Sequence, residues 1–243
     1  MKAIFKKEII QFFSSPIGYI TMGIFFLINA LMLWIIEGNY NIPNNQFADL
    51  LPFFDFVPWI LIFVMASISM KSFSEEFKSG TIETLMTKPI SIEKIVAGKF
   101  LSIWWIGKIM LIPTIIYIFS VQSLTMEGQS LDWGMIFSGY VGLVLLVGVF
   151  ASIGVFASLL FKNQINAFLV GLFLIFLFFY GFEGIGNFNL LGNLDYFVQN
   201  LSLKSHYDNF TKGLIKLNDI VYFISIMLLF IALSNFVLRK KIK

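Results

Sequence analysis

The sequence predicts an all-α integral membrane protein with six transmembrane helices and with both termini in the cytoplasm. Of the 243 residues, 58% are hydrophobic and 13% are charged, whereas soluble domains average about 45–50% apolar and about 25% charged residues. Six apolar runs approach the roughly 20 residues that a helix needs to cross a bilayer. Lysines collect in alternate connecting segments, and this asymmetry sets the membrane orientation.

The first residues predict an interfacial helix followed by an uncleaved transmembrane helix. Residues 2–14 place most apolar side chains on one helical face and the polar ones on the other, with Ile10 outside that arc. Such a helix can lie in the membrane interface with its lysines towards the headgroups, and a solvated cytoplasmic tail is the alternative. The run at 16–36 is long enough to span and no small-residue cleavage site follows it, which argues against a signal peptide. Pro16 suits the first turn of that helix.

Five further apolar runs complete the predicted single domain, 1–243. The predicted spans are 52–70, 100–121, 138–160, 165–182 and 220–238. The stretch 133–160 is longer than a bilayer requires, so we expect a tilted helix or an interfacial first turn there. It carries small residues four positions apart, which let helices pack closely within the subunit or against a second one. The pairs are Ser138/Gly142, Gly148/Ser152 and Gly154/Ser158.

Lysine placement orients the bundle. With the N-terminus in the cytoplasm, the first two outer loops, 37–51 and 122–132, contain no Lys or Arg. This is the positive-inside pattern, and the lysines of the outer segment 183–218 are an exception that a longer loop tolerates. The glycine- and asparagine-rich composition of that segment predicts short interfacial helices. Its lysines alternate with Tyr207 and Phe210, which suggests lipid headgroups rather than nucleic acid as the partner.

Three ionisable residues lie close to the apolar runs, and they are Asp55, Lys108 and Glu183. Because a charge at membrane depth is costly, such residues are candidates for a translocation path. Interfacial solvation is the alternative for Asp55 and Glu183, and snorkelling towards the interface is the alternative for Lys108. His206 stands alone in the sequence and is interpreted as a surface residue. The chain has no cysteine, and no cluster has the spacing of metal ligands.

The longest charged stretch, 72–99, lies between the second and third spans and predicts a short helix between two turns. Gly80 can take the left-handed conformation that ends the preceding helix. Thr81 can cap a new helix, and Glu83 in its first turn complements the helix dipole. Pro89 ends that helix, because the residue before a proline disfavours helical backbone.

A helix of about two turns is not stable alone and must pack on this chain or on a partner. Ile82, Leu85 and Met86 provide a small apolar patch for such packing. Ser91 can then cap the helix that leads into the third span. An ordinary polar loop with mutually solvated charges is the alternative interpretation of the same residues.

The motif in this stretch resembles the permease subunits of ABC-2-type transporters. Residues 72–99 read S-F-x-E-E-x-x-x-G-T-x-E-x-L-x-x-x-P-I-x-x-x-x-I-x-x-G-K. The resemblance implies six transmembrane helices per subunit, a homo- or heterodimeric membrane unit, a bacterial cytoplasmic (inner) membrane and a coupling helix that docks on a separate ATPase. The residues that it places on the docking surface are Glu75, Glu76, Gly80, Thr81, Glu83 and Leu85. Three further stretches, at the N-terminus, before the second span and after the fifth, are similar to permease subunits of gliding-motility transporters.

The chain lacks a phosphate-binding loop of the form G-x-x-x-x-G-K-[ST], since Gly98-Lys99 is followed by Phe100. We therefore expect this chain not to be an enzyme and to carry no cofactor, with ATP and Mg²⁺ bound by the partner ATPase. The predicted function is the permease subunit of an ATP-driven exporter associated with gliding motility. A secondary transporter driven by an ion gradient and a non-transporting scaffold of a motility or secretion machine are the alternatives.

Overall fold

The computed structural model describes residues 1–44, 48–87, 89–125, 130–188, 192 and 195–242. All regular structure in these ranges is helical, and none of it is strand. In chain order the helices are α1 Lys2–Phe13, α2 Pro16–Ala30, α3 Leu51–Ser69, α4 Lys71–Ser79, α5 Thr81–Met86, α6 Ile92–Leu111, α7 Ile116–Gln122, α8 Trp133–Leu160, α9 Gln164–Phe176, α10 Phe182–Asn187, α11 Asp195–Gln199, α12 Leu203–Thr211 and α13 Leu217–Ile242. Helices α2 and α9 continue as single π-helical turns, Leu31–Ile35 and Leu177–Gly181.

Six helical stretches of the described chain are long and apolar enough to cross a membrane, which confirms the predicted fold class. They are Pro16–Ile35, Leu51–Ser79, Ile92–Gln122, Trp133–Leu160, Gln164–Asn187 and Leu217–Lys241. The second runs beyond its predicted end at residue 70, and the third begins before its predicted start at residue 100. Those limits of the spans followed the loss of apolar residues, whereas Gly80 and Ser91, the predicted limits of the two helices, are confirmed. A helix does not end where its residues become polar. It ends at a breaker such as Gly80.

Helix α8 is the centre of the bundle and packs against α3, α6, α9, α12 and α13. Its glycines make this packing possible. A Cβ atom at Gly154 would lie 2.5 Å from the Cβ atom of Ser69, and one at Gly142 would lie 2.7 Å from the Cβ atom of Phe210. The predicted close approach at the small-residue pairs therefore occurs within this chain.

The amphipathic N-terminal helix is confirmed as α1. Its Ile4 is buried, while Lys6 and Lys7 are exposed, as is Ile10 outside the apolar arc. Helix α1 packs on α6 where Gly98 leaves room, since a Cβ atom at that glycine would lie 3.2 Å from the Cβ atom of Ile4. Helix α1 is thus part of the packed bundle rather than a tail, and its place in the membrane interface stays a prediction.

The bundle has two ends of different character. The end that carries both chain termini includes α1, α4, α5 and the first turns of α6, and we call it the terminal end. The other end carries α10, α11 and α12, which confirm the short helices predicted within 183–218. We call it the opposite end. Which end faces the cytoplasm stays a prediction from the lysine pattern.

Candidate functional site

The predicted short helix is present as α5, joined to α4 by a one-residue turn. Gly80 has a φ of 73°, and it both ends α4 and precedes α5. The prediction for Gly80 is confirmed, as is Glu83 in the first turn of α5. Thr81 is not the cap, because the turn leaves no residue between Gly80 and the first helical position. Its hydroxyl oxygen instead lies 2.8 Å from the hydroxyl oxygen of Ser79. We call α4 and α5 together the α4–α5 hairpin.

Five of the six predicted docking residues lie on exposed or half-exposed parts of the hairpin: Glu75, Gly80, Thr81, Glu83 and Leu85. Glu76 differs, because it is only 7% exposed. Its Oε1 atom lies 3.1 Å from the ammonium of Lys7 and 3.0 Å from that of Lys99. One oxygen of the Glu76 carboxylate is therefore occupied inside the chain, where it positions α4. Docking itself stays a prediction.

The apolar patch predicted on α5 does not face outwards as a unit. Ile82 is 9% exposed and joins the hydrophobic core, and Leu85 is half-buried against it. The side chain of Met86 lies outside the described residues. Since Ile82 anchors α5 on this chain, the short helix has the packing that it needs to be stable.

A buried lysine connects the hairpin to the rest of the terminal end. Lys99 is 1% exposed, and its Nζ atom lies 2.7 Å from Glu8 Oε1 and 3.0 Å from Glu76 Oε1. The ammonium also donates to the carbonyl oxygen of Ser72 at 2.5 Å. We call Lys7, Glu8, Glu76 and Lys99 the Lys99 hub. It joins α1, α4 and α6 through two positive and two negative charges.

The Lys99 hub was not predicted, because Lys99 was interpreted as part of the 72–99 motif and was compared with a phosphate-binding loop, without a partner on another helix. A signal was nevertheless present. Lys99 is four residues from both Ile95 and Ile103, so on a helix it shares their face. All three are buried in the structure. A lysine in register with a buried apolar face requires a carboxylate partner, and the adjacent glycine admits the helix that brings one.

The C-terminus of α13 joins the same end of the bundle. Lys241 donates to the carbonyl oxygen of Leu159 at 2.5 Å, and its Nζ atom lies 4.7 Å from the ring centroid of Phe77 on α4. Arg239 forms an ion pair with Glu93 on α6. These contacts tie α13 to α4, α6 and α8, so the terminal end is one connected network.

At the opposite end, the structure brings two candidate translocation residues to the same region. Asp55 is exposed and lines a cavity of about 420 Å³ together with Lys204 and Asp208. The Lys204 ammonium lies 3.1 Å from Glu183 Oε1 and 3.1 Å from Asp208 Oδ2. Burial lowers the pKa of Lys204, but Asp208 and Glu183 more than offset this, so that its pKa is raised overall. The three carboxylates and the lysine could hold a polar ligand.

Lys108 lies apart from this cluster. Its Nζ atom is 4.2 Å from the ring of Trp104 and 4.5 Å from that of Trp105, a cation–π arrangement on the same helix. Within the described parts of the chain no carboxylate forms an ion pair with it. The indole nitrogen of Trp104 in turn donates to the carbonyl oxygen of Val144 at 2.9 Å, which fixes the ring. A role for Lys108 in translocation stays a prediction.

The interpretation of His206 as a lone surface residue is wrong. Its Nδ1 atom lies 2.6 Å from Asp219 Oδ1, its Nε2 atom lies 3.0 Å from the carbonyl oxygen of Asn200, and its ring stacks on Tyr222 at 4.1 Å. The sequence could not show these partners, because the fold brings them together. His206 ties α12 to the start of α13. Among the described residues, no three His, Asp or Glu side chains lie together as metal ligands would.

The chain matches a known protein family. The family described as ABC-2 family transporter protein matches residues 2–241, which is nearly the whole chain and includes the α4–α5 hairpin and both ends of the bundle. No curated protein matches the sequence.

Proposed function

This chain belongs to the ABC-2 family of transporter proteins, and from that premise we propose that it is the permease subunit of an ATP-driven exporter. A separate ATPase subunit binds ATP and Mg²⁺, hydrolyses the nucleotide and docks on the α4–α5 hairpin. The observation that carries the proposal is the exposed α5, which follows α4 at Gly80, and the Lys99 hub joins α4 to α1 and α6.

The exposed side of α5 has the properties of a docking surface. Thr81, Glu83 and Thr84 are exposed on it, and Leu85 is half-buried at its edge. Ile82 and the turn at Gly80 hold this surface in place from beneath. A partner would therefore meet a preformed surface and would not have to order it, which lowers the entropic cost of binding.

The structure offers a path from this surface to the membrane helices. Helix α4 follows α3 with only Met70 between them, and the Lys99 hub connects it to α1 and α6. Helix α3 meets α8 at the close contact between Ser69 and Gly154. A push on α5 is thereby transmitted to several spans as a rigid-body movement, the kind of motion by which packed domains switch state.

We assign the cavity at the opposite end to the translocation path. Asp55 lines it, and Glu183 reaches it through the ammonium of Lys204. A site with both signs of charge would release a polar substrate to water more easily than a closed apolar channel. Lys108, fixed between two tryptophans, is the proposed path residue nearer the middle of the third span.

Two finer parts of the proposal rest on sequence resemblance alone. The membrane unit is expected to be a dimer, with a second copy or a different permease as partner. The likeness of three stretches to the gliding-motility permease subunit GldF suggests an exporter that serves gliding motility, but the family match does not extend to that particular protein. Identification of the proteins that co-purify in gentle detergent would test both parts.

Charge reversal on α5 tests the docking proposal. We expect Glu83→Lys to reduce co-purification of the ATPase subunit by about tenfold, which corresponds to roughly 1.4 kcal/mol, and to reduce stimulation of ATP hydrolysis in parallel. Glu83 is preferred to Glu75 because Glu75 is half-buried. Glu37→Lys is the matched control, since Glu37 is an exposed acid that precedes α3 at the opposite end.

Unchanged association and unchanged ATPase stimulation in Glu83→Lys would contradict the coupling role. Substrate movement that continues without ATP and stops with an uncoupler would instead identify an ion-driven transporter. A permease that binds an ATPase in vesicles but moves no substrate would support the scaffold alternative.

A further inference from the structure

A cavity of about 330 Å³ lies at the terminal end, between the interfacial helix α1, the start of α2, and helices α3, α4 and α6. This volume is within the usual range of ligand sites, roughly 300–1,000 Å³. Thr81 of α5 is among the residues that line the cavity, whereas Glu83 and Thr84 are not, and it shares no lining residue with the cavity at the opposite end. The residues that line it combine charged groups of α4 and of α1, where they are Lys7 and Glu8, with apolar groups of α1, α2 and α6.

Two residues of α4 that line this cavity each carry a buried polar atom that has no hydrogen-bond partner among the described residues. These atoms are Oε2 of Glu76, whose other oxygen is held by Lys7 and Lys99, and the hydroxyl oxygen of Ser72. Glu76 is 7% exposed and Ser72 is 5% exposed, and both line the cavity. Since buried polar groups in proteins almost always have a partner, these atoms indicate a ligand. A free carboxylate oxygen accepts, so the ligand must donate.

Two charged side chains on the same face of α4 complete the site. Lys71 and Glu75 are one helical turn apart, are half-buried and line the cavity. Neither forms an ion pair within the described part of the chain. A ligand that matches this face therefore carries a positive donor for Glu75 and Glu76 and a negative group for Lys71. The complement is a zwitterion.

The apolar side of the cavity indicates where such a zwitterion comes from. Phe12 on the amphipathic α1 and Ile17 on the first turn of α2 form part of the wall, together with Ile103 and Ile106 of α6. Amphipathic helices such as α1 lie at the level of lipid headgroups, and α2 exposes a series of isoleucines there. The cavity thus lies where a phospholipid can insert its headgroup while its acyl chains stay in the bilayer.

We propose that this cavity binds a phospholipid with a phosphoethanolamine headgroup. The ammonium donates to Glu75 and to the free oxygen of Glu76, and the phosphate pairs with Lys71. The proposal concerns lipid bound by the permease alone, so it does not depend on ATPase docking.

The test uses the full-length protein, purified and stripped of lipid in detergent. Bound lipid is counted by native mass spectrometry after titration with phosphatidylethanolamine, phosphatidylcholine or phosphatidylglycerol of the same chain length. We expect phosphatidylethanolamine to bind about tenfold more tightly than the other two, because only its ammonium can donate charge-assisted hydrogen bonds. Free phosphoethanolamine separates a lipid from a soluble ligand with the same headgroup chemistry.

Two double variants test where the lipid binds. We expect Lys71→Ala with Glu75→Gln to remove the preference for phosphatidylethanolamine. Neither residue belongs to the Lys99 hub, so these substitutions leave the hub intact. The matched control is Lys78→Ala with Glu83→Gln, because both residues are exposed and do not line the cavity. A preference that persists in the first double variant would overturn the site.

Equal binding of phosphatidylglycerol would overturn recognition of the ammonium. Binding of free phosphoethanolamine as tightly as the lipid would overturn the assignment to a membrane lipid. The absence of any bound lipid above background in the wild-type protein would overturn the proposal as a whole, because the cavity would then hold water only. Since none of these measurements involves an ATPase, they succeed or fail separately from the proposed transport function.

Discussion

The two ends of the bundle each contain a lysine between two carboxylates, and they differ mainly in burial. Lys99 at the terminal end is 1% exposed and lies 2.7 Å from Glu8 and 3.0 Å from Glu76. Lys204 at the opposite end is 28% exposed and lies 3.1 Å from both Glu183 and Asp208. Removal of one partner from a buried pair strands a charge, whereas water replaces the partner in a half-exposed pair.

The two clusters also differ in how far apart their paired residues lie in the sequence. Lys99 and Glu8 are 91 residues apart, whereas Lys204 pairs with Asp208 four residues away on its own helix and with Glu183 21 residues away on α10. The buried cluster therefore joins three helices, α1, α4 and α6, into a rigid unit, and the more exposed one joins two short helices and arranges charge around a water-accessible cavity. Similar ion pairs thus hold helices together rigidly at the terminal end and form part of a polar cavity wall at the opposite end.

The largest effect is expected when the buried lysine is replaced. Lys99→Met should reduce the free energy of unfolding by about 3–5 kcal/mol, the usual cost of breaking a buried ion pair from one side, because Glu8 and Glu76 lose their shared cation. Thermal unfolding in detergent measures this change. Lys94→Met on the same helix is the control, since Lys94 is exposed.

A second variant separates charge from packing. Lys99→Met combined with Glu8→Gln and Glu76→Gln leaves no unpaired carboxylate, so we expect it to recover part of the lost stability. If Lys99→Met lowers the free energy of unfolding no more than Lys94→Met does, the buried cluster at the terminal end is not more stabilising than the exposed cluster at the opposite end.

The next effect tests whether the rigid unit extends from α3 into α8. Gly154→Ala should reduce the free energy of unfolding by about 1–3 kcal/mol, the usual cost of overpacking, because the new methyl group would meet the side chain of Ser69. Gly23→Ala is the control, because a Cβ atom at Gly23 has no neighbour within 4 Å. Equal stability of the two variants would show that α8 and α3 can move apart freely.

Much of the fold could be predicted from the sequence, because its signals are local. Apolar runs near 20 residues are typical of spans, and glycine at 80 with glutamate at 83 predicts the turn and the start of α5. Glycine at 80 and serine at 91 also predict how far helices continue beyond the apolar runs, as α4 and the first turns of α6 do. Polarity marks the membrane boundary, but backbone geometry marks the end of the helix.

The partners of the charged residues could not be predicted, since they depend on how helices pack. Glu76 was expected on the docking surface, where the resemblance to ABC-2 permeases places it together with Glu75. Adjacent residues on a helix point in directions about 100° apart, and this rotation turns Glu76 towards Lys99. His206 likewise meets Asp219 only because the fold returns α13 beside α12.

A smaller effect is expected at the opposite end. Lys204→Ala should reduce the free energy of unfolding by about 0–1 kcal/mol, the usual range for exposed pairs, and Lys212→Ala serves as a control because Lys212 is exposed on the same cavity. A loss as large as that for Lys99→Met would show that both clusters are structural joints.

The smallest effect concerns how the stabilisation by the Lys204 ion pairs changes with pH. The pKa of Lys204 is raised above its ordinary value of 10.5 in the folded protein. Its ion pairs therefore stabilise the protein below that value, and this stabilisation is lost as the pH rises through the folded-state pKa. We expect the stability difference between wild type and Lys204→Ala to disappear in that alkaline range. A stability difference between wild type and Lys204→Ala that grows as the pH rises would contradict this expectation.

Site-specific cross-linking tests most directly whether the terminal end receives the ATPase. The chain contains no cysteine, so Thr84→Cys on the exposed side of α5 gives a single reactive site, and Glu37→Cys near the opposite end gives the control. A photoactivatable thiol reagent is attached to each variant in native membranes, and the adducts are identified by mass spectrometry. We predict an ATP-binding subunit cross-linked through residue 84 and absent at residue 37. Cross-linking of that subunit only through residue 37, or equally through both, would contradict docking on the α4–α5 hairpin.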